Sequence, residues 1–222
     1  MSRENDRRAL VHEINAAARL YNDNLVGKRF MYVFDNRYIE VIYERKNFKH
    51  LTGTETNLSA NEFFKKAVRG QLASSQIWFS SNHPYQLSVR KVRHLCGLVQ
   101  LVTSASFILE EITTDSEIYK FGTTNLDFTL CLNRKKDILN NYVGDCYVVY
   151  SLRDEDCFSK CRGSYTVTHI FSRPNDSKKY NRIDFMDENA NLASLPSEIQ
   201  VSLMKNRLIR QIMMGRLLVV SA

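Results

Sequence analysis

One heptapeptide, Asn47-Phe48-Lys49-His50-Leu51-Thr52-Gly53, gathers side chains able to do chemistry on a phosphate. An imidazole titrates close to neutral pH, so it can take up or give back a proton where most side chains cannot. Here it stands between a cation, Lys49, and a hydroxyl, Thr52, with Gly53 free to release the backbone. The alternating apolar residues upstream place His50 at a strand-to-loop junction. RNA carries its own nucleophile, the 2′-hydroxyl. Cleaving it requires a base, an acid for the leaving 5′-oxygen and cations for the crowded phosphorane. On this reading His50 is base or acid and His169 its counterpart. Arg93 or Lys91 stabilises the phosphorane, and Thr52 bonds a phosphate oxygen. Each residue also has a structural reading: His50 as a loop cap, His169 as a satisfied strand residue, Arg93 as a surface cation. Both readings stand at this stage.

Other chemistries lack their signatures. There is no phosphate-binding glycine loop, no Walker lysine, no dinucleotide fingerprint and no nucleophile elbow. Carboxylates do not cluster in the manner of a two-metal nuclease, and Asp154-Glu155-Asp156 reads as a solvated turn. The five cysteines are odd in number and scattered, which suits buried thiols in a reducing compartment. Cys157 and Cys161 are a close pair, but no histidine completes a zinc motif beside them. Neither metal nor cofactor is expected.

The elements that must position these residues follow from periodicity. Leu10, Ile14, Ala17, Ala18 and Tyr21 predict an amphipathic helix over residues 4–21. Phe30, Tyr32 and Phe34, a turn at Asp35-Asn36, then Ile39, Val41 and Tyr43 predict a hairpin. Ser59 and Glu62 form a capping box, with Leu58 and Phe63 as a staple, and open a helix that weakens at Gly70. After Ser80-Ser81-Asn82-His83-Pro84, a helix of roughly 25 residues is expected by period counting. Its apolar back is Val89, Val92, Cys96 and Val99, and its basic front is Arg90, Lys91, Arg93 and His94. From Thr123 onward three alternating runs, the last of them Tyr165–Phe171, and a short one over 180–185 predict an antiparallel meander. Pro196 opens a closing basic helix. Helices first and strands after give an α+β fold, with helices packed against a small antiparallel β-sheet and an extra C-terminal helix.

Net charge is +7 over 222 residues and unevenly spread. From Lys46 to Arg93 eight Lys/Arg face two acids, whereas 94–157 holds five basic side chains against ten acidic. A locally basic surface around His50 points to a polyanion, most simply a nucleic acid. The cations expected to contact RNA are Lys49, Lys65, Lys66, Arg69, Arg90 and Lys179, with Thr52 beside them.

The string Phe48-Lys49-His50-Leu51-Thr52-Gly53, then Leu58–Phe64, the basic Arg90-Lys91-Val92, Tyr165–Ser172 and Lys179-Tyr180 together resemble a known group. It is a phage-associated family of Barnase–EndoU–ColicinE5/D–RelE-like nucleases. The resemblance covers about residues 28–185, and its most specific part is the Phe-x-His-Leu-Thr-Gly string. It implies an α+β fold and metal-independent ribonuclease activity, with His50 as the residue that carries over directly. It also implies a phage or mobile-element effector acting in the cytoplasm of a bacterial host. The expected partners are RNA or a ribonucleoprotein. A non-catalytic counter-defence inhibitor, such as an anti-CRISPR protein bound to a host nuclease or CRISPR effector, is the second expectation. No membrane span is expected, since no run approaches roughly 18 apolar residues. The charged first eight residues, with no apolar signal core behind them, argue against secretion. Three segments follow: 1–27 helical, 28–186 nuclease-like, and 187–222 a linker with the basic helix.

Overall fold

A computed structural model describes residues 3–115 and 117–220, with side chains described for 4–115 and 117–213. The first helix, α1 (Arg3–Asn24), buries the five residues its spacing marks: Leu10, Ile14, Ala17, Ala18 and Tyr21. Strands β1 (Lys28–Phe34) and β2 (Arg37–Ile42) pair antiparallel around Asp35 and Asn36. Both turn residues are left-handed, at φ 47° and 56°. A two-residue hairpin turn needs such values, and Asp and Asn tolerate them best among residues with a side chain.

After β2 the chain enters a short helix, α2 (Phe48–Thr52), where the alternation predicts a strand-to-loop junction. Phe48 and Leu51 lie three apart, a helical spacing, and both are fully buried. A capping box at Ser59 and Glu62 then starts α3 (Ala60–Val68), as the sequence predicts. The expected long helix is instead two pieces, α4 (Tyr85–Cys96) and α5 (Leu98–Leu101), divided at Gly97. Leu95, Leu98, Leu101 and Val102 stay buried across the break, so the apolar period runs on where the helix does not. The buried face of α4 is Ser88, Val92 and Leu95, while Cys96 is exposed.

The β-region begins earlier than the alternation suggests. Strands β3 (Phe107–Thr113), β4 (Ile118–Thr124), β5 (Thr129–Lys136) and β6 (Tyr142–Arg153) form an antiparallel run. The segment expected as one strand over 165–171 is two, β7 (Gly163–Thr166) and β8 (His169–Pro174), and β9 (Arg182–Met186) follows. Among the described residues these make a nine-stranded sheet, larger than expected, in the order β7-β3-β4-β5-β6-β2-β1-β8-β9. Every neighbouring pair is antiparallel except β2 with β6. The architecture is α+β.

The order fixes a curvature. β7 and β8 stand seven spacings apart in the sheet, about 34 Å if it were flat. Thr166 and His169, however, are three residues apart, which an extended chain spans in about 11 Å. The sheet must therefore curl until its two ends approach. Contacts across the gap agree: Thr168 donates its N–H to Val33 O at 2.9 Å, Tyr165 lies 5.7 Å from Phe34 between ring centres, and Arg37 pairs with Glu110 at 3.0 Å.

Both sheet faces are covered. Phe30, Tyr32 and Phe34 point into the core shared with α1–α5, while Met31 and Val33 point the other way. There they meet Phe171, Tyr180, Leu195, and Ile199, Leu203 and Leu208 from α6 (Ser197–Ser202), the link after it and α7 (Lys205–Val220). The C-terminal helices are thus seated on the sheet, with Lys205, Arg207 and Arg210 exposed. Among the described residues no helix is long and apolar enough to cross a membrane.

Candidate active site

His50 is placed from behind by aromatic packing. Phe48 meets Tyr21 and Phe64 edge-on, both at 5.3 Å between ring centres, and Leu51 lies fully buried one turn on. Asn47 donates its side-chain amide to Val149 O, which ties the entry of α2 to β6. With residues 48 and 51 facing inward, residue 50 of a helix must face out. His50 accordingly stands exposed, its ring 5.6 Å from the ring of Tyr150 on β6.

Gly53 closes α2 in the left-handed conformation, φ 66°. A Cβ there would lie 3.0 Å from Lys91 Cδ, so the glycine also admits the lysine stem. Ser88 Oγ donates to Gly53 O at 2.7 Å, which fastens α4 to the end of α2. Gly53→Ala is expected to cost about 1–2 kcal/mol, the usual penalty of an L side chain in this region. It is also expected to push Lys91 aside. Urea unfolding of the variant measures the first effect.

Several further charged groups act on His50. Lys91, on α4, and Arg153, at the end of β6, are near enough to act on it electrostatically, as are His83 and, in the β3–β4 turn, Glu117. Arg153 Nη2 donates to Thr114 Oγ1 at 3.2 Å and so holds that turn to β6. Tyr119 lies buried beside Tyr150, 6.3 Å between ring centres. Burial, then its hydrogen bond to Glu117, push the Tyr119 phenol up to about 12. Crowding by the protein, and next the charges of Lys91, His83 and Arg153, pull His50 below its ordinary pKa. Burial and the Arg153 charge likewise lower Lys91. The result is an exposed imidazole with a lowered pKa, with Lys91 and Arg153 near enough to act on it.

The basic front of α4 is divided in use. Only Lys91 turns to His50. Arg90 and His94 both bond Asp154, His94 Nε2 at 2.6 Å from its carboxylate. Asp154 is therefore no solvated turn residue. Burial raises it, but the bonds from His94 and Arg90 outweigh that and hold its carboxyl low. Arg93 is exposed, with its charge felt at Tyr85. Thr52 is fully buried, donates to Lys49 O at 2.8 Å and bonds Thr54 Oγ1, so its hydroxyl serves the loop and not a phosphate. Lys49 Nζ donates to Leu58 O at 2.9 Å. Lys65, Lys66 and Arg69 follow the outer side of α3, and Lys179 is exposed near Gln200 and Met204 of the C-terminal segment.

His169 is not brought to His50. It points to the sheet face of Val33 and Phe171, away from α1–α5, is 1% exposed, and stacks on Phe171 at 5.4 Å. Burial pushes its pKa down to about 4. An imidazole that charges more readily when unfolded makes the unfolded state bind more protons between pH 6.5 and 4. The stabilisation is complete above pH 6.5 and lost as pH falls towards 4. The expected loss is about 3 kcal/mol. Urea unfolding across that range should show the slope, and His169→Gln should flatten it.

Tyr150, Arg153 and Tyr119 were not evident as site residues from sequence. Tyr150 is an exposed aromatic within a strand, 39% exposed, followed three residues later by a cation. That signal becomes readable only once the strand's direction is known.

A family model described as phage-Barnase-EndoU-ColicinE5/D-RelE like nuclease4 matches residues 13–189. The match contains His50, Lys91, Tyr119, Tyr150 and Arg153. No curated protein and no solved structure matches the chain. By that match, which spans most of its length, the chain belongs to the phage-Barnase-EndoU-ColicinE5/D-RelE like nuclease4 family, and its function is nuclease-type at that level.

Proposed function

We propose that the protein is an endoribonuclease that cleaves RNA by 2′-hydroxyl transesterification at His50. One observation carries this reading: an exposed imidazole with a depressed pKa stands beside two partly buried cations, Lys91 and Arg153. The neutral imidazole takes the 2′-hydroxyl proton, and the oxygen so freed attacks the adjacent phosphorus. Lys91 and Arg153 hold the phosphorane's negative oxygens, where fixed cations are worth most. Lys91, whose proton is loosened, passes it to the departing 5′-oxygen. The products are a 2′,3′-cyclic phosphate and a 5′-hydroxyl; His50 then returns its proton to solvent and Lys91 takes one up from it.

A base works only when unprotonated, so kcat/KM rises with pH until His50 is neutral. Because its pKa is lowered, the midpoint of that rising limb is expected below 6.5, the ordinary histidine value. A pH–rate profile on a short RNA measures it.

The founding test is incubation of end-labelled RNA with the full chain in excess chelator. Cleavage to cyclic-phosphate ends, abolished in His50→Ala, is the expected result. Tight binding with no cleavage, unchanged in His50→Ala, would overturn the enzyme in favour of an inhibitor that occupies RNA.

A further inference from the structure

We propose that Trp78, the only tryptophan of the chain, is a stacking platform for an unpaired base of the RNA strand held at His50, so that the substrate is single-stranded RNA. The inference rests on the ribonuclease reading above.

Local structure turns the indole outward. Ile77 is extended, at φ −124° and ψ 147°, and 1% exposed, while Phe79 packs edge-on against Tyr85 at 5.2 Å between ring centres. Side chains alternate along an extended chain, so the residue between these two faces the other way. Trp78 is 38% exposed, although an indole is a large apolar surface to leave in water. The backbone beneath it is braced. Glu55 and Trp78 exchange both backbone N–H to C=O bonds, at 3.1 and 3.0 Å. Such a pair sets its two side chains on one face, with Cα atoms about 5.5 Å apart. The Glu55 carboxylate lies 2.7 Å from His83 Nδ1 and accepts from Ser80 Oγ at 3.3 Å. Ser80 N–H in turn bonds His83 O at 3.1 Å. A ring on a loop held in this way is ordered before any ligand arrives, which lowers the cost of binding.

The same contacts bring the ring to the neighbourhood of His50. Gly53 ends the helix that carries His50, and Glu55 follows two residues on. Two extended residues and the Glu55–Trp78 bridge put the Trp78 Cα within about 13 Å of the Gly53 Cα. His83, bonded to Glu55, is near enough for its charge to be felt at His50. An RNA strand with a phosphate at His50 therefore has a neighbouring base within reach of the indole. The segment from Lys46 to Arg93, which includes all these residues, holds eight Lys/Arg against two acids and favours a polyanion as occupant. Every base has a π-face, so an aromatic platform accepts any sequence. A duplex keeps its bases stacked on one another, and only a single strand or loop can offer one to the protein.

Intrinsic tryptophan fluorescence of the full chain reports Trp78 alone. In His50→Ala, where cleavage is blocked, a short single-stranded RNA is expected to quench it saturably. The same sequence as a duplex should require about tenfold more RNA or beyond. In the otherwise native chain, Trp78→Leu should raise KM for cleavage about tenfold with kcat within about twofold, the scale of one lost stack. Trp78→Phe keeps a π-face and should retain most of the affinity, which separates stacking from a general disturbance of the loop. Quenching without cleavage by the native chain keeps the platform and overturns the ribonuclease. Cleavage without quenching, or with a native KM in Trp78→Leu, keeps the ribonuclease and overturns the platform. Equal quenching by the duplex overturns the assignment to single-stranded RNA.

Discussion

With His50→Ala, RNA cleavage is expected to fall by about 10²–10⁴-fold, the usual contribution of one positioned general base. Stability should change much less, because the ring is exposed and meets the ring of Tyr150 at the surface of the fold. That separation makes the experiment informative. A residue that merely capped its helix would lose stability and activity together. A base loses activity alone, and added imidazole should return part of it. Urea unfolding alongside single-turnover cleavage gives both numbers. Equal losses in the two would identify His50 as structural.

Phe48→Ala should do the reverse. The ring is fully buried and meets Tyr21, Phe63 and Phe64 at 5.3, 6.4 and 5.3 Å between centres. Truncating such a phenylalanine costs about 3–5 kcal/mol through lost transfer energy and the cavity left behind. Small domains hold only about 5–15 kcal/mol in total, so a large part of the stability rests on this side chain. Since it also seats α2, His50 should lose its fixed approach to Tyr150 even in the folded fraction. A fall in the urea midpoint of the corresponding size, at unchanged slope, checks the first claim. A change below about 1 kcal/mol would show that the aromatic cluster repacks.

These two neighbours, two residues apart, explain how much of the molecule could be read from sequence. Elements with a local signature were legible. The α1 spacing, the Asp35-Asn36 turn and the Ser59–Glu62 box all appear where the residues put them. The helix at Phe48 was misread because five residues offer too short a window to separate a helical period from a strand's end. The long helix was over-extended because the apolar period continues past Gly97. β7 and β8 were fused because Tyr165, Val167, His169 and Phe171 alternate without interruption, although the chain changes neighbours at Val167-Thr168.

The candidate site was half legible for the same reason. His50 and Lys91 could be named because the heptapeptide and the basic front of α4 are local patterns. Tyr150, Tyr119 and Arg153 come to the neighbourhood of His50 only through the pairing of β4, β5 and β6. His169 looked like a second catalytic histidine because its type was right. Which sheet face it occupies is set by its register with Val33, and no local pattern reports that register.

The most direct test of the account concerns the nucleophile. A short RNA is mapped for its cleavage position, then remade with a single 2′-deoxynucleotide on the 5′ side of that bond. Transesterification at His50 predicts that cleavage stops at this position alone, while the unmodified RNA yields a 2′,3′-cyclic phosphate. Continued cleavage at the deoxy position would contradict it, because the attacking oxygen would then have to come from somewhere other than the RNA.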